Sequence, residues 1–277
     1  MPNYAIAIDS GKCVGCYNCF LTCRDEYAGN DFPDYSAPQP FSGGNWITLR
    51  EVERGIYPHV KVNYVAQVCC HCEDASCIKL DQTGAVYRRP DGIVLIDPVK
   101  ALGNKELVKA CPYRRIEWNE ELELPQKCTM CAHLLDAGSP EPRCVESCPS
   151  GALVFGDLSD PDSDISKLYA SGQYEPLNSE FGMGEKVMYR GVPKKFIAGT
   201  VVYGDINEVA DGIKVTLTGP EWEKATVTNG FGDFEFEGLP ENTDFTVKIQ
   251  EPKYKGVSFD VKTSRDIYLG EINIDKK

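Results

Sequence analysis

The stretch Cys13-Val14-Gly15-Cys16-Tyr17-Asn18-Cys19-Phe20-Leu21-Thr22-Cys23 sets four thiols at the spacing C-x2-C-x2-C-x3-C. Three thiolates at three-residue intervals wrap a loop around one iron–sulfur cubane, while the fourth points away toward a neighbouring cluster. Zinc motifs favour separated C-x2-C pairs that close a tetrahedron. The spacing therefore predicts an iron–sulfur loop.

Working outward, Cys128, Cys131, Cys144 and Cys148 with Pro149 read C-x2-C-x12-C-x3-C-P. The ending matches the iron–sulfur form in which proline turns the chain after the departing cysteine, although alone this group also fits zinc. Each group supplies what the other lacks. Cys13, Cys16 and Cys19 are completed by Cys148 as cluster 1, and Cys128, Cys131 and Cys144 are completed by Cys23 as cluster 2.

Residues 6–23 recur as residues 94–111. Asp9 falls on Asp97, Lys12 on Lys100, Gly15 on Gly103 and Cys23 on Cys111, but Cys13, Cys16 and Cys19 become Ala101, Asn104 and Leu107. Cys69, Cys72 and Cys77, followed by Asp81, likewise repeat the last group, and the two end in Gly84-Ala85 and Gly151-Ala152. Asp81 stands where Cys148 stands, and a surface or capping carboxylate is the expected role. Under reciprocal ligation the four absent thiolates are all the ligands of one cluster. The survivor, cluster 3, is Cys69, Cys72, Cys77 and Cys111. Three [4Fe–4S] clusters then use all of the 13 cysteines except Cys70, which is a buried thiol or a stand-in for Cys69.

The chain has 277 residues and a net charge of −13, about two domains by length and a balance that repels phosphate backbones and anionic membranes. No nucleic acid partner is expected. A disulfide framework has no reason to stop at Cys148, after which no cysteine occurs. No apolar run reaches the roughly 18 residues of a membrane span, and Met1 to Asp9 lacks signal-peptide character. The expectation is a cytoplasmic chain without direct membrane insertion, although a folded subunit can be exported on a partner's signal. There is no Gly-rich phosphate loop, nucleophile elbow or distinctive carboxylate pair, so no catalytic residue is assigned.

His71 and His133 adjoin cluster loops, where they are expected to hydrogen-bond or pack; His59 carries no signal. Arg24, Arg88, Arg89, Arg114, Arg115 and Lys127 stand near cluster segments, either offsetting cluster charge or solvated. Beyond Lys195 the chain alternates at strand period through Val215 and Leu217, Phe234 and Phe236, Phe245, Val247 and Ile249, and Val257, Phe259 and Val261. Turn signals separate these runs, which predicts a sandwich of about seven strands. Tyr203, Trp222, Phe231 and Tyr254 face either its core or a partner.

On Cys69-Cys70-His71-Cys72-Glu73-Asp74, Ala110-Cys111-Pro112-Tyr113, Lys127-Cys128-Thr129-Met130-Cys131-Ala132-His133, Cys144-Val145-Glu146-Ser147-Cys148-Pro149 and the first motif, residues 3–194 resemble the four-cluster ferredoxin subunits of the dimethyl sulfoxide reductase family of molybdopterin enzymes. The erased site departs from that pattern and leaves three clusters. The tail resembles the prealbumin or carboxypeptidase regulatory-like family, and the combination is similar to the small subunits of trihydroxybenzene hydroxytransferases. These resemblances imply an α+β fold: a tandem ferredoxin-like region (1–156), a mostly irregular connector packed on the surface (157–194) and an all-β prealbumin-like sandwich (195–277). They further imply a non-catalytic iron–sulfur subunit in a heterodimer, with higher assembly of heterodimers left open. The large catalytic partner alone carries the molybdopterin guanine dinucleotide. The alternative is a conventional electron-transfer subunit serving a quinone or ferredoxin.

Overall fold

Ala5, Ile6, Ala7 and Ile8 form an unbroken apolar run, and all four are buried, the pattern of a strand covered on both faces. In the computed structural model, which describes residues 1–277, this run lies in the first of two compact units. Unit 1 is Met1–Glu51 with Asn63–Val192; unit 2 is Val52–Val62 with Pro193–Lys277. Strands predominate, and the helices are few and short.

In chain order the first part carries β1 (Tyr4–Asp9), α1 (Asn18–Tyr27), β2 (Ile47–Ile56), β3 (His59–Val68), α2 (Ser76–Leu80), β4 (Val86–Arg88) and β5 (Val94–Ile96). There follow β6 (Glu117–Asn119), β7 (Leu124–Gln126), α3 (Ala132–Asp136), α4 (Arg143–Glu146), β8 (Leu153–Asp157), α5 (Asp164–Ala170) and β9 (Val187–Arg190). β1 is the centre of a three-stranded sheet, antiparallel to β8 and parallel to β9.

The span 157–194, expected to be mostly irregular, thus contributes both a helix and a sheet strand. Ser163 caps α5 by accepting from the Ser166 N–H at 3.3 Å, and Ile165 is buried against Ala5 and Ala7. Tyr189 of β9 is fully buried. A four-residue parallel strand has no local sequence signature, because its partner residues lie 181 positions away.

The repeat is visible in the backbone. Asp9 N–H donates to the Ala152 carbonyl and Asp97 N–H to that of Ala85, both at 2.8 Å. Each aspartate then turns its own loop: Gly11 N–H donates to Asp9 Oδ1 at 3.0 Å and Val99 N–H to Asp97 Oδ1 at 2.9 Å. Gly15 and Gly103 are both left-handed, at φ of 66° and 73°. At Gly15 a Cβ would also stand 2.5 Å from the Tyr64 ring, so only glycine fits.

Unit 2 holds β10 (Lys195–Tyr203), β11 (Glu208–Val209), β12 (Lys214–Gly219), β13 (Trp222–Val227), β14 (Asp233–Leu239), β15 (Asp244–Gln250), β16 (Val257–Lys262) and β17 (Ile267–Ile274). β10 pairs with β11, β14 and β17, while the second sheet runs β13-β12-β15-β16. Eight strands replace the expected seven; the additional one, β11, is two residues long. Ile197, Val201, Phe234, Phe236 and Ile272 of one sheet share a core with Val215, Leu217, Phe245, Val247 and Ile249 of the other. Tyr203, Trp222 and Tyr254 belong to or pack on that core, whereas Phe231 is 76 % exposed.

Residues 52–62, the tip of the β2–β3 ribbon, also belong to this unit. Lys61 pairs with Glu235 and Glu237, and the Arg54 and Lys61 cations lie 5.6 and 5.2 Å from the centroid of the buried Phe196 ring. His59 stacks on Tyr268 at 4.4 Å.

Candidate metal centres

α1 determines how the first group is split. Cys19, Cys23 and Tyr27 are its buried residues, spaced four apart along one face, while Cys13 and Cys16 lie in the preceding loop. Burial, and then the nearby Cys148 and Cys16, raise the Cys13 thiol; burial, then Cys13, push Cys19 up to about 12, with Cys148 and Cys16 adding to the shift. Cys13, Cys16, Cys19 and Cys148 therefore lie within electrostatic reach of one another. Burial opposes ionisation of Cys148 too, but the N–H groups of Leu153, Ala152 and Ser150 with the Ser150 hydroxyl hold its thiol below the ordinary value.

One turn along, Cys23 is raised by burial and then by Cys128 and Cys131. Cys144 is raised by burial and then by Cys131, Cys128 and Cys23. Cys23, Cys128, Cys131 and Cys144 are thus neighbours electrostatically, a second quartet. The third gathers around Cys69: burial pushes Cys77 up to about 11, and Cys69, Cys111 and Cys72 each raise it further. Cys111 is raised by burial and by Cys69 and Cys72, against the Arg115 N–H donated to its Sγ at 3.4 Å. Cys70 is also beside Cys72, buried and bonded to the Val68 carbonyl at 3.8 Å.

Thiols of neighbouring quartets also act on one another. Cys19 acts on Cys23 and Cys144, joining the first to the second. Cys69 is the leading neighbour, after burial, that pushes Cys128 up to about 12, joining the second to the third.

The four remaining positions are built differently. Asp81 Oδ1 accepts from the Thr83 N–H at 3.0 Å and the Thr83 hydroxyl at 2.7 Å, and Oδ2 from the Val86 N–H at 2.8 Å. Ala101 and Leu107 are buried, and Asn104 accepts the Leu107 N–H through its carbonyl at 3.3 Å. Asp81 thus caps a turn, and two of the three loop positions carry buried apolar side chains.

Buried thiols such as Cys19, Cys23, Cys128 and Cys144 are poor as free thiolates, since burial and neighbouring thiols oppose ionisation; soft sulfur donors of this kind suit iron–sulfur cores. Three buried N–H groups lack a hydrogen-bond partner, Gln39 Nε2, Trp46 Nε1 and His71 Nε2. Gln39 is held through its Oε1 by Arg24 at 3.3 Å and acts on Cys23. His71 Nδ1 accepts the Val94 N–H at 3.1 Å, so its proton sits on Nε2. Unpartnered buried donors next to sulfur fit a group that brings additional acceptors. No three His, Cys, Asp or Glu side chains converge on a single ion.

Tyr27 and Gln39 escape a reading of the sequence by motif. Tyr27 lies one turn beyond Cys23 and touches Thr129 at 2.7 Å, a placement legible from helical spacing; Gln39 sits in an irregular segment and has no such signal. His133 is engaged elsewhere, with Glu26 at 2.9 Å and stacked on Phe32 at 3.8 Å.

The basic residues also separate by role. Arg89 pairs with Asp91 and Asp136; Arg24 donates to the Gly43 and Pro40 carbonyls, both at 2.7 Å. Arg88 donates to Cys72 O at 2.5 Å and Glu73 O at 2.6 Å, and Arg115 to Thr48 at 2.8 Å. Arg114 is exposed. Lys127 is buried, its ammonium donating to the carbonyls of Val94 and Cys128.

Residues 60–158 match the 4Fe-4S dicluster domain family. The pyrogallol hydroxytransferase small subunit of Pelobacter acidigallici is 42% identical over 257 residues, covering 90% of this chain and 91% of the relative. A putative dimethyl sulfoxide reductase iron-sulfur subunit of Halobacterium salinarum is 34% identical, covering 68% and 79%. The arsenate respiratory reductase iron-sulfur subunit of a Shewanella species is 31% identical, covering 66% and 94%. No helix is long and apolar enough to cross a membrane. The chain belongs to the family of iron–sulfur subunits that includes the pyrogallol hydroxytransferase small subunit and the iron–sulfur subunits of dimethyl sulfoxide reductases.

Proposed function

We propose that this chain is the electron-transfer subunit of a cytoplasmic heterodimeric molybdopterin enzyme that moves a hydroxyl group between trihydroxybenzenes. The large partner carries the molybdopterin guanine dinucleotide and the substrate site. This chain holds three [4Fe–4S] clusters: Cys13, Cys16, Cys19 and Cys148; Cys128, Cys131, Cys144 and Cys23; and Cys69, Cys72, Cys77 and Cys111. The clusters supply one-electron storage and transfer, and the protein sets their potentials through burial, hydrogen bonds and charge.

What carries the reading is the breadth of one likeness. A match across 90% of the chain must run through most of unit 2, and it is with a pyrogallol hydroxytransferase small subunit; the reductase relatives align with about two thirds. Two four-stranded sheets around one core support a prealbumin-like sandwich, to which we assign docking on the partner.

Hydroxyl transfer between two rings is redox-neutral overall, so the clusters poise the partner's metal instead of feeding each turnover. Asp81 closes α2 four residues after Cys77, and Leu107 lies four residues before Cys111. The erased nest therefore adjoins the third quartet and removes an end of the row, not a link in its middle. The purified complex is expected to transfer hydroxyl between trihydroxybenzenes with no external electron carrier. Turnover that requires a quinone, ferredoxin or dye in proportion to product would contradict this and favour a conventional reductase or dehydrogenase subunit.

A further inference from the structure

Lys127 differs from every other basic residue near the thiols. It is 3 % exposed, its ammonium donates to two backbone carbonyls, Val94 O and Cys128 O, and no carboxylate pairs with it. Burying an ammonium without an anion costs several kcal/mol, and neutral carbonyls offset only part of that. The ammonium is bonded to the Cys128 carbonyl and, through Val94, is one residue from His71, which stands between Cys70 and Cys72 in the chain; it acts on Cys128 of the second quartet and on Cys77 and Cys72 of the third. No cation stands among the leading influences on Cys13, Cys19 or Cys148, which are burial, other cysteines, the Ser150 hydroxyl and backbone N–H groups.

We propose that Lys127 is a fixed internal counter-cation shared by the second and third clusters, favouring their reduced forms and stabilising that pair relative to the first. A [4Fe–4S] core with four thiolates carries about −2, and reduction makes it about −3. A positive charge held beside two such cores stabilises the added electron on either, and more so in a water-poor interior. Val94 fixes the geometry, since its carbonyl takes the Lys127 ammonium while its N–H orients His71. Lys127 is thus a positioning and electrostatic residue that touches no substrate.

The inference rests on the cluster assignment above, and iron analysis separates the two. A wild-type complex without three clusters in this chain would defeat the assignment itself. With three clusters present, the test is Lys127→Met in the complex, read by redox titration of each cluster's paramagnetic signal. Signals are assigned with cysteine variants of each quartet. The expected result is a fall of about tenfold or more in the one-electron reduction equilibrium of the second and third clusters, which is about 59 mV, with a smaller shift in the first. Lys127→Arg should stay near wild type. Unchanged potentials in an iron-replete Met variant, or equal shifts in all three clusters, would overturn the proposal. If Lys127→Met loses iron, Lys127→Gln is titrated in its place. Iron loss in both neutral variants but not in Lys127→Arg supports the role of charge; loss in all three overturns it.

Discussion

Residues 9–23 and 97–111 share a backbone and part in their chemistry. Both begin with an aspartate whose N–H is tied to the alanine of a Gly-Ala pair at 2.8 Å, and both pass through a left-handed glycine to an outgoing cysteine. One loop presents Cys13, Cys16 and Cys19; the other presents Ala101, Asn104 and Leu107, two of which are buried. The path of the loop is thus set by aspartate turns and glycines, and the metal chemistry by three side chains that the path merely displays. At the second loop Ala101 and Leu107 are buried, and Asp81 caps a turn at the position that matches Cys148.

The largest break in this comparison is at the cysteine that both loops keep. Cys111→Ser should cost the complex about four irons of twelve, removing the cluster shared with Cys69, Cys72 and Cys77 and sparing the other two. Equal loss from all three quartets, by iron analysis, would contradict the pairing. A smaller effect is expected at the filled nest. Asp81→Ala should leave the iron content unchanged and lower stability by about 1–2 kcal/mol, the loss of three accepted hydrogen bonds at a partly exposed site, measured by denaturant unfolding. Burial works against the Asp81 carboxylate, but the Val86 and Thr83 donors hold it below the usual carboxylate range. Its contribution is therefore full above the unfolded value of about 4 and is lost as pH falls through the lower folded one. The Ala variant should consequently show a shallower loss of stability in acid.

The smallest effect sharpens the electrostatic contrast between quartets. Glu185 is buried, accepts the Tyr113 hydroxyl and raises Cys72. Glu185→Gln should raise the potential of the third cluster alone, opposite in sign to Lys127→Met and smaller, in the same titration.

Much of this organisation was legible because it is periodic or repeated. The alternation of Phe234 with Phe236 and of Phe245, Val247 and Ile249 appears as one buried core, and the spacing of Asp9 and Asp97 appears as two matching turns. What stayed hidden depends on distant partners. β9 is a strand only because β1 offers a free edge, and residues 52–62 join strands more than 130 positions later through Lys61 and Phe196. Lys127 was one of six candidate cations of identical formal charge. Its burial follows from the Val94 carbonyl on β5, which no spacing around Cys128 reveals.

Under crossed ligation each cubane would take its last sulfur from a distant stretch of chain, with one nest lost whole. Locating iron in crystals of the complex by anomalous scattering at the iron edge tests it most directly. The account predicts three iron centres in this chain, one within each quartet and in a row, and none beside Asn104. A centre held by Cys13, Cys16, Cys19 and Cys23 together, or a fourth among Asp81, Ala101, Asn104 and Leu107, would contradict it.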